Sequence, residues 1–400
     1  MALVAGFASP LAAQLALPQV PVLPDATGAV NGVLGRADRL VRDGLAQTAD
    51  ALRQARIERI DDILRRNRSV IEPDLDGQPA RRGTLLLLDP AETDLAQVQA
   101  LGFVVGGRDR LDALGMTVVE VTVPAGTSLA DAQRLLARSA PGVAVSSDPL
   151  HFQSGAGSSP TRARPQTARE AITVSLGLID GAPAQPVAAT RGFAAGAPMP
   201  SNHGSAIVSL AARAGVRTIQ VADVYGTDPA GGNALAIARG MNWLIGQGAR
   251  VISISLVGPR NPVLERAVSA ARSRQVVIVA AVGNDGPAAP PSYPASYPGV
   301  IAVTGVDRRD RPLIEAGKAL HLDYAAPGAD LTALDAAGRW VGVRGTSYAT
   351  PLVAARAAAA LQRGAAFDRL TGALDAEARP LSRKVPDPRS GRGLLCETCR

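Results

Sequence analysis

The sequence predicts an α/β protein with a mostly parallel sheet, preceded by a smaller α+β unit. Two observations carry this reading. Between Ile172 and Val306, apolar strand-like segments alternate with helical ones: Ile172 to Ile179, Ser205 to Ala214, Thr218 to Val224, Asn233 to Gly246, Val251 to Leu256, Val263 to Arg274, Val276 to Ala281 and Val300 to Val306. The strands are near-continuous Val/Ile/Ala runs, the pattern of a parallel sheet buried on both faces between two helical layers. Upstream, Thr84 to Leu88, Glu92 to Leu101, Phe103 to Val105, Met116 to Val123, Ser128 to Ala137 and Val143 to Val145 read as βαββαβ. That order is ferredoxin-like.

Composition sets the bounds. Four hundred residues allow two or three domains, and 46% apolar content supports a sizeable core. Only 3% of residues are aromatic, so the core is built from Ala, Val, Leu and Ile. A net charge of +7 and a pI near 10.1 raise the question of an anionic partner. The Arg residues are scattered and rarely interleaved with aromatics, which reads as a solvated basic surface and not a nucleic-acid site. Cys396 and Cys399 are the two cysteines, so no disulfide framework holds the fold. Their spacing fits a local disulfide or two free thiols.

Residues 1–30 begin with an uncharged Ala/Leu-rich run, Met1 to Leu17, then carry Pro18, Pro21 and Pro24. The run resembles the apolar core and cleavage region of a signal peptide without its basic start, and predicts export. It is shorter than a membrane span, and no later segment is apolar enough to be one. Residues 31–72 place Leu34, Val41, Leu45, Leu52, Ile60 and Ile63 at helical spacing among Arg and Asp, predicting one or two amphipathic helices. Residues 83–152 form the α+β unit. Residues 153–170, rich in Ser, Gly, Pro, Arg and Thr, read as an exposed linker to the body, 171–400.

In open parallel sheets, sites form beyond the carboxyl ends of the strands, so the loops there carry the argument. The first offers Asp180-Gly181, a carboxylate ending an apolar strand, or else a turn residue capping the next segment. His203-Gly204-Ser205 stands just before an apolar helix; of the other two His, His151 lies in the linker and His321 near no motif. Val282-Gly283-Asn284-Asp285-Gly286 follows the strand ending at Ala281, and Asn284 is either a turn residue or an amide donor. Gly345-Thr346-Ser347-Tyr348-Ala349-Thr350-Pro351 precedes an Ala-rich helical run. Pro351 is acceptable in the first turn, and Ser347 would then sit where free N–H groups face a developing negative charge. Taken singly, each of these is an ordinary turn.

In this order the four loops resemble the motifs of the subtilisin-like serine peptidases. The Asp, His, Ser order is that family's. Tyr297-Pro298-Gly299, Ala325-Ala326-Pro327-Gly328 and Gly391-Arg392-Gly393-Leu394 add to the likeness, which runs from about 172 to 395. The resemblance implies a three-layer catalytic domain and a serine endopeptidase acting on proteins or peptides. Ser347 would be the nucleophile, His203 the base and Asp180 its orienting partner, with Asn284 and the Ser347 N–H serving the oxyanion. Ser255, Leu256, Val257 and Gly258, with Ala281, Val282 and Gly283, would wall a cleft that takes an extended peptide. No cofactor is implied, and no clustered Asp/Asn loop argues for a metal.

The likeness has departures. Gly181 follows Asp180 directly where the family usually has Thr or Ser, only 23 positions separate Asp180 from His203, and Val257 stands where a second Gly is common. Residues 83–152 then resemble an inhibitory pro-domain, the chain's own intramolecular partner, or else an unrelated accessory module. As a pro-domain, its tail Ser146 to Ser154 would lie in the cleft, with self-cleavage between Leu150 and Glu170. Two rival readings are a catalytically inactive peptide-binding protein on the same fold and a nucleotide-binding protein using Gly231-Gly232-Asn233. The latter lacks the Gly-x-Gly-x-x-Gly spacing.

Overall fold

The computed structural model of the protein describes residues 45–160 and 170–399. The signal-like run and the Pro-rich stretch after it lie outside the described residues, as do 161–169. Helix α1 (Leu45–Arg66) accounts for the described part of the amphipathic segment.

The small unit holds β1 (Ile71–Pro73), β2 (Pro79–Leu88), α2 (Glu92–Ala100), β3 (Val104–Leu111), β4 (Met116–Thr122), α3 (Leu129–Ser139) and β5 (Ala144–Pro149). Its sheet is antiparallel: β4 lies between β3 and β2, and both β1 and β5 pair with the far edge of β2. Successive side chains of a strand face opposite ways. Leu85, Leu87, Val119 and Val121 therefore meet Leu95 and Val98 of α2 and Leu129 and Leu136 of α3. Leu86 and Val118, on the other face, join the core of the body. Burial on both faces explains the unbroken Leu85 to Leu88 run.

The body begins with β6 (Phe152–Gln153) and β7 (Ala156–Pro160). It continues with β8 (Leu176–Asp180), β9 (Ala189–Gly192), α4 (Asn202–Arg213), β10 (Ile219–Asp223), α5 (Ala234–Gly246), β11 (Val251–Ile254) and β12 (Leu256–Val257). Then come α6 (Pro262–Ser273), β13 (Val277–Ala281), β14 (Ile301–Val306), β15 (Tyr324–Pro327), β16 (Leu331–Leu334), β17 (Trp340–Arg344), α7 (Thr346–Gln362) and α8 (Leu370–Glu377). Seven strands form one parallel sheet in the order β15-β14-β13-β11-β8-β10-β9. Leu178, Val221, Val279 and Val303 pack under α4 and α7, while Ile179, Ala222, Ile252, Ile278 and Ala302 pack under α5 and α6. Two cores on opposite faces give the three layers.

The small unit docks on α5 and α6 by polar contacts as well as apolar ones. Arg239 of α5 is paired with Asp109 and Glu120. Asn261, the N-cap of α6, donates to Ser146 Oγ at 2.6 Å. Asp148 accepts from Leu235 N at 3.0 Å, so a carboxylate of one unit caps a helix of the other. Burial pushes the Asp148 carboxyl up to about 7.

Three expectations need correction. Residues 151–160 are not an exposed linker: His151 and Ser154 are buried, and the stretch forms two strands paired with the body. Pro351 lies beyond the first turn, since α7 starts at Thr346. Gly231-Gly232-Asn233 is not free for a nucleotide, because His151 N donates to Gly232 O at 2.8 Å and Leu150 bridges Asn233. Cys396 and Cys399 form a disulfide.

Candidate active site

Asp180 is the last residue of β8, at the centre of the parallel sheet, and His203 stands in the first turn of α4. Ser201 caps that helix, its Oγ accepting from Gly204 N at 3.0 Å. A Cβ on Gly204 would collide with Gly181 O, and a Cβ on Gly181 with Ser201 Oγ. The two glycines let the helix start close against the end of β8, which compensates for the residue missing after Asp180. As a result His203 Nδ1 lies 2.9 Å from both Asp180 oxygens. Asp180 also accepts from Gly181 N at 2.8 Å and from Gln153 Nε2 at 2.9 Å. These donors fix the carboxylate in place beside the imidazole.

Ser347 is the second residue of α7, just past Gly345. Neighbouring loops set this turn: Asn284 Oδ1 accepts from Thr346 N at 3.1 Å, and Thr346 Oγ1 accepts from Gly283 N at 3.1 Å. Both bonds tie the loop after β13 to the start of α7. Arg344, at the end of β17, is held by a two-bond fork to buried Glu315 at 2.8 and 2.9 Å.

The chain itself runs through this site. Leu150 bridges Asn233 on one side, and β6 pairs antiparallel with β12 on the other, Gln153 opposite Leu256 and Phe152 opposite Val257. Beyond Gly155, β7 pairs with β17, setting Ala156 opposite Arg344. Ser154 sits over the hydroxyl of Ser347: its N–H donates to Ser347 Oγ at 3.0 Å, its own Oγ is 3.0 Å from that atom, and its carbonyl accepts from Ser347 N at 3.1 Å. Ser347 Oγ donates to Ser255 O at 3.0 Å, and His203 Nε2 is buried without a hydrogen-bond partner. The hydroxyl therefore faces the Ser255 carbonyl instead of the imidazole. Asn284 Nδ2 and Ser154 O lie 2.6 and 2.7 Å from one point, the place a Cβ on Gly345 would take. The amide and the carbonyl share that edge.

Of the residues singled out in the sequence, the structure brings together Asp180, His203, Ser347, Asn284, Ser255, Leu256, Val257 and Gly258. Gly258 meets the ring of His151, 2.5 Å from where its Cβ would stand. Ala281 and Val282 do not join this strand: Ala281 pairs with Val303, and Val282 N donates to Val303 O inside the sheet. Gly283 reaches the site through Thr346 and by packing against Val257. Four contributors had no role assigned from the sequence as individual residues: Gln153 and Ser154 stood only within the expected cleft tail, Tyr348 only within a motif, and Arg59 carried no signal. Arg59 of α1 bonds both oxygens of Asp285 at 2.9 and 3.1 Å and lies over the Phe152 ring at 5.5 Å. Among the described residues no group of His, Cys, Asp and Glu is placed to hold a metal.

A parallel sheet carrying an Asp at a strand end, a His in a helix start and a Ser at the N-terminus of a buried helix defines a subtilisin-like α/β fold. Comparison with known proteins agrees. Residues 194–373 match the family described as the subtilase family, Peptidase_S8. The chain is 33% identical to thermitase of Thermoactinomyces vulgaris over 183 residues, 46% of this chain and 64% of that protein. It is 32% identical to subtilisin Savinase of Lederbergia lenta over 170 residues, 42% of this chain and 61% of that one. It thus spans less than two thirds of the length of these curated relatives. A solved structure, fervidolysin from Fervidobacterium pennivorans, described as a keratinolytic enzyme related to subtilisin, superposes with a TM-score of 0.67. That likeness has 17% identity, covers 81% of this chain and 61% of the other, and concerns the fold. Over these segments the chain is similar to the subtilisin-like serine peptidases.

Proposed function

We propose that the protein is a serine endopeptidase made as a precursor, with residues 71–149 as its pro-domain and 150–160 as the first peptide its cleft meets. The observation that carries this is the seating of the Ser154–Gly155 bond over Ser347, on the carboxyl edge of the sheet that holds Asp180 and His203. Attack requires Ser347 Oγ to turn from Ser255 O to His203 Nε2. His203 then takes the hydroxyl proton as Oγ bonds the carbonyl carbon of Ser154. Asp180 keeps the Nδ1 proton directed at itself and stabilises the imidazolium. The Ser347 N–H, already on the Ser154 oxygen, and the Asn284 amide receive the negative charge. Collapse breaks the bond to Gly155 N, which takes the proton from His203, and water later releases the acyl group from Ser347. Protein or peptide substrates would follow the same extended path between β12 and the Gly232–Asn233 edge.

Export fits this reading, and no described helix is long and apolar enough to cross a membrane. The test is expression of the full chain. Wild type should yield a fragment beginning at Gly155 and label with a fluorophosphonate at Ser347. Ser347→Ala should accumulate uncut, and His203→Ala and Asp180→Asn should each process orders of magnitude more slowly, with non-additive effects. Intact, unlabelled wild type would support instead the inactive peptide-binding protein.

A further inference from the structure

The position on the leaving side of the seated bond is walled by a residue the triad does not use. Tyr348 follows the nucleophile, is 2% exposed and belongs to the core beneath α7. Its ring centroid is 5.3 Å from that of His203, with the rings tilted by 44°. A Cβ added to Gly155 would stand 2.6 and 2.9 Å from the Cε2 and Cζ atoms of Tyr348 and 3.2 Å from His203 Nε2. Carbon atoms in ordinary contact are roughly 3.5–4.0 Å apart, so the overlap approaches ~1 Å. The phenol ring is rigid and packed in the core, so it has no free end to swing aside. The strand is also confined elsewhere. The Cβ position of Gly345 lies 2.7 Å from Gly155 Cα and 2.7 Å from Ser154 O, so glycine crosses glycine at this point.

We propose that Tyr348 makes glycine the required residue immediately after the cleaved bond, so that the substrates are peptides and proteins with accessible X-Gly junctions. This rests on the peptidase reading above and adds a specificity to it. The constraint acts where it matters for rate, because the crowded imidazole nitrogen is the one that must deliver a proton to the leaving amine. A side chain at that position strains both the fit and the proton transfer. Ser154–Gly155 satisfies the rule within the chain itself.

The experiment uses self-processed wild-type protein and quenched peptides sharing the residues Phe-Gln-Ser before the bond and carrying Gly, Ala or Leu after it. The expected kcat/KM for Ala is about 10- to 100-fold below that for Gly, the size that overpacking by one methyl group reaches, with Leu lower still. Tyr348→Ala should narrow the gap between Gly and Ala, and in the full chain Gly155→Ala should slow processing unless Tyr348→Ala accompanies it. Equal turnover of the Gly and Ala peptides by wild type overturns the proposal while leaving a peptidase, and needs no variant to fold. Failure of every peptide, together with no fluorophosphonate label, overturns the peptidase reading and this inference with it.

Discussion

The hydroxyl of Ser255 donates to the carbonyl of Ser347 at 3.0 Å. In an uninterrupted helix that carbonyl would accept from the N–H four residues on, but there stands Pro351, which has none. The side chain of a cleft-wall residue thus replaces a helical hydrogen bond at the nucleophile's own peptide. The contact couples β12, where the peptide strand pairs, to the first turn of α7. Ser347 returns the contact, its Oγ donating to Ser255 O.

Ser255→Ala should therefore leave a buried carbonyl unpaired and destabilise the start of α7 by about 1–3 kcal/mol. Thermal unfolding in the Ser347→Ala background, expected to stay uncut under the proposed function, measures this directly. A melting temperature unchanged by the second substitution would show that water or a shifted turn satisfies the carbonyl.

Asn284 accepts from Thr346 N through its Oδ1, which aims its amide nitrogen toward the edge where Ser154 O lies. Asn284→Ala removes both the donor and a brace of the loop. The expected loss in kcat is about 10²–10³, the size known for the corresponding donor of subtilisin itself, with KM nearly unchanged. Steady-state kinetics on a cleavable peptide separates the two parameters. An effect confined to KM would make Asn284 a substrate contact.

Much of the body was legible because physics restricts what can be written there. Strands covered on both faces are almost wholly apolar, as in Val277–Ala281 and, but for buried Ser253, in Val251–Ile254. The short strands Ala189–Gly192 and Trp340–Arg344 are partly exposed, so they carry no such run. Asp180, His203 and Ser347, each an ordinary turn residue when taken singly, stood out through the order of their motifs and its resemblance to a known family. Phe152–Pro160 was read as a linker for the opposite reason. Its place is set by backbone hydrogen bonds to β12, β17 and Ser347, which leave no side-chain pattern. Tyr348 was visible inside a motif, but its effect depends on Gly155, which is 193 positions away from it.

Arg59 ties α1 to Asp285, next to Asn284, and covers Phe152. Arg56 adds a second contact to Asp285 at 3.3 Å. Both Arg59 and Asp285 are mostly buried, and with Arg56 still beside Asp285 the loss of Arg59 should cost less than the roughly 3 kcal/mol of a fully broken buried pair. Arg59→Ala in the uncut Ser347→Ala protein should speed hydrogen exchange across residues 45–66 and 152–154. Arg59→Lys should recover only part of the protection, since an ammonium lacks the planar guanidinium that lies over the Phe152 ring. Unaltered exchange in α1 would mean that its apolar face alone holds it.

The last prediction concerns acid. His151 is fully buried on the seated strand, its ring against Gly258, with Nδ1 3.3 Å from Pro149 O and Nε2 unpartnered. The residue's backbone is also tied down: His151 N donates to Gly232 O, and His151 O accepts from Tyr225 Oη at 2.8 Å. Burial lowers the imidazole from 6.5 to about 4. A group whose seated pKa lies below its free value favours the seated state fully above the free pKa. That support is lost as the pH falls from about 6.5 to about 4, by roughly 3 kcal/mol over the window. Asp148, three residues earlier, works in the other sense. Burial raises it to about 7, so docking of β5 is favoured by its protonation and weakens as the pH rises from its ordinary range through 7. The two windows overlap, so between about pH 4 and 7 the two groups act in opposite senses and largely offset each other. In uncut Ser347→Ala protein, protection of residues 150–155 against a broad-specificity protease should therefore change little as the pH drops from 7 to 4. His151→Phe, which fills the pocket without a charge, removes one of the two senses, so its protection should rise over the same drop. Protection that stays flat in His151→Phe would show that His151 does not oppose Asp148 at this interface.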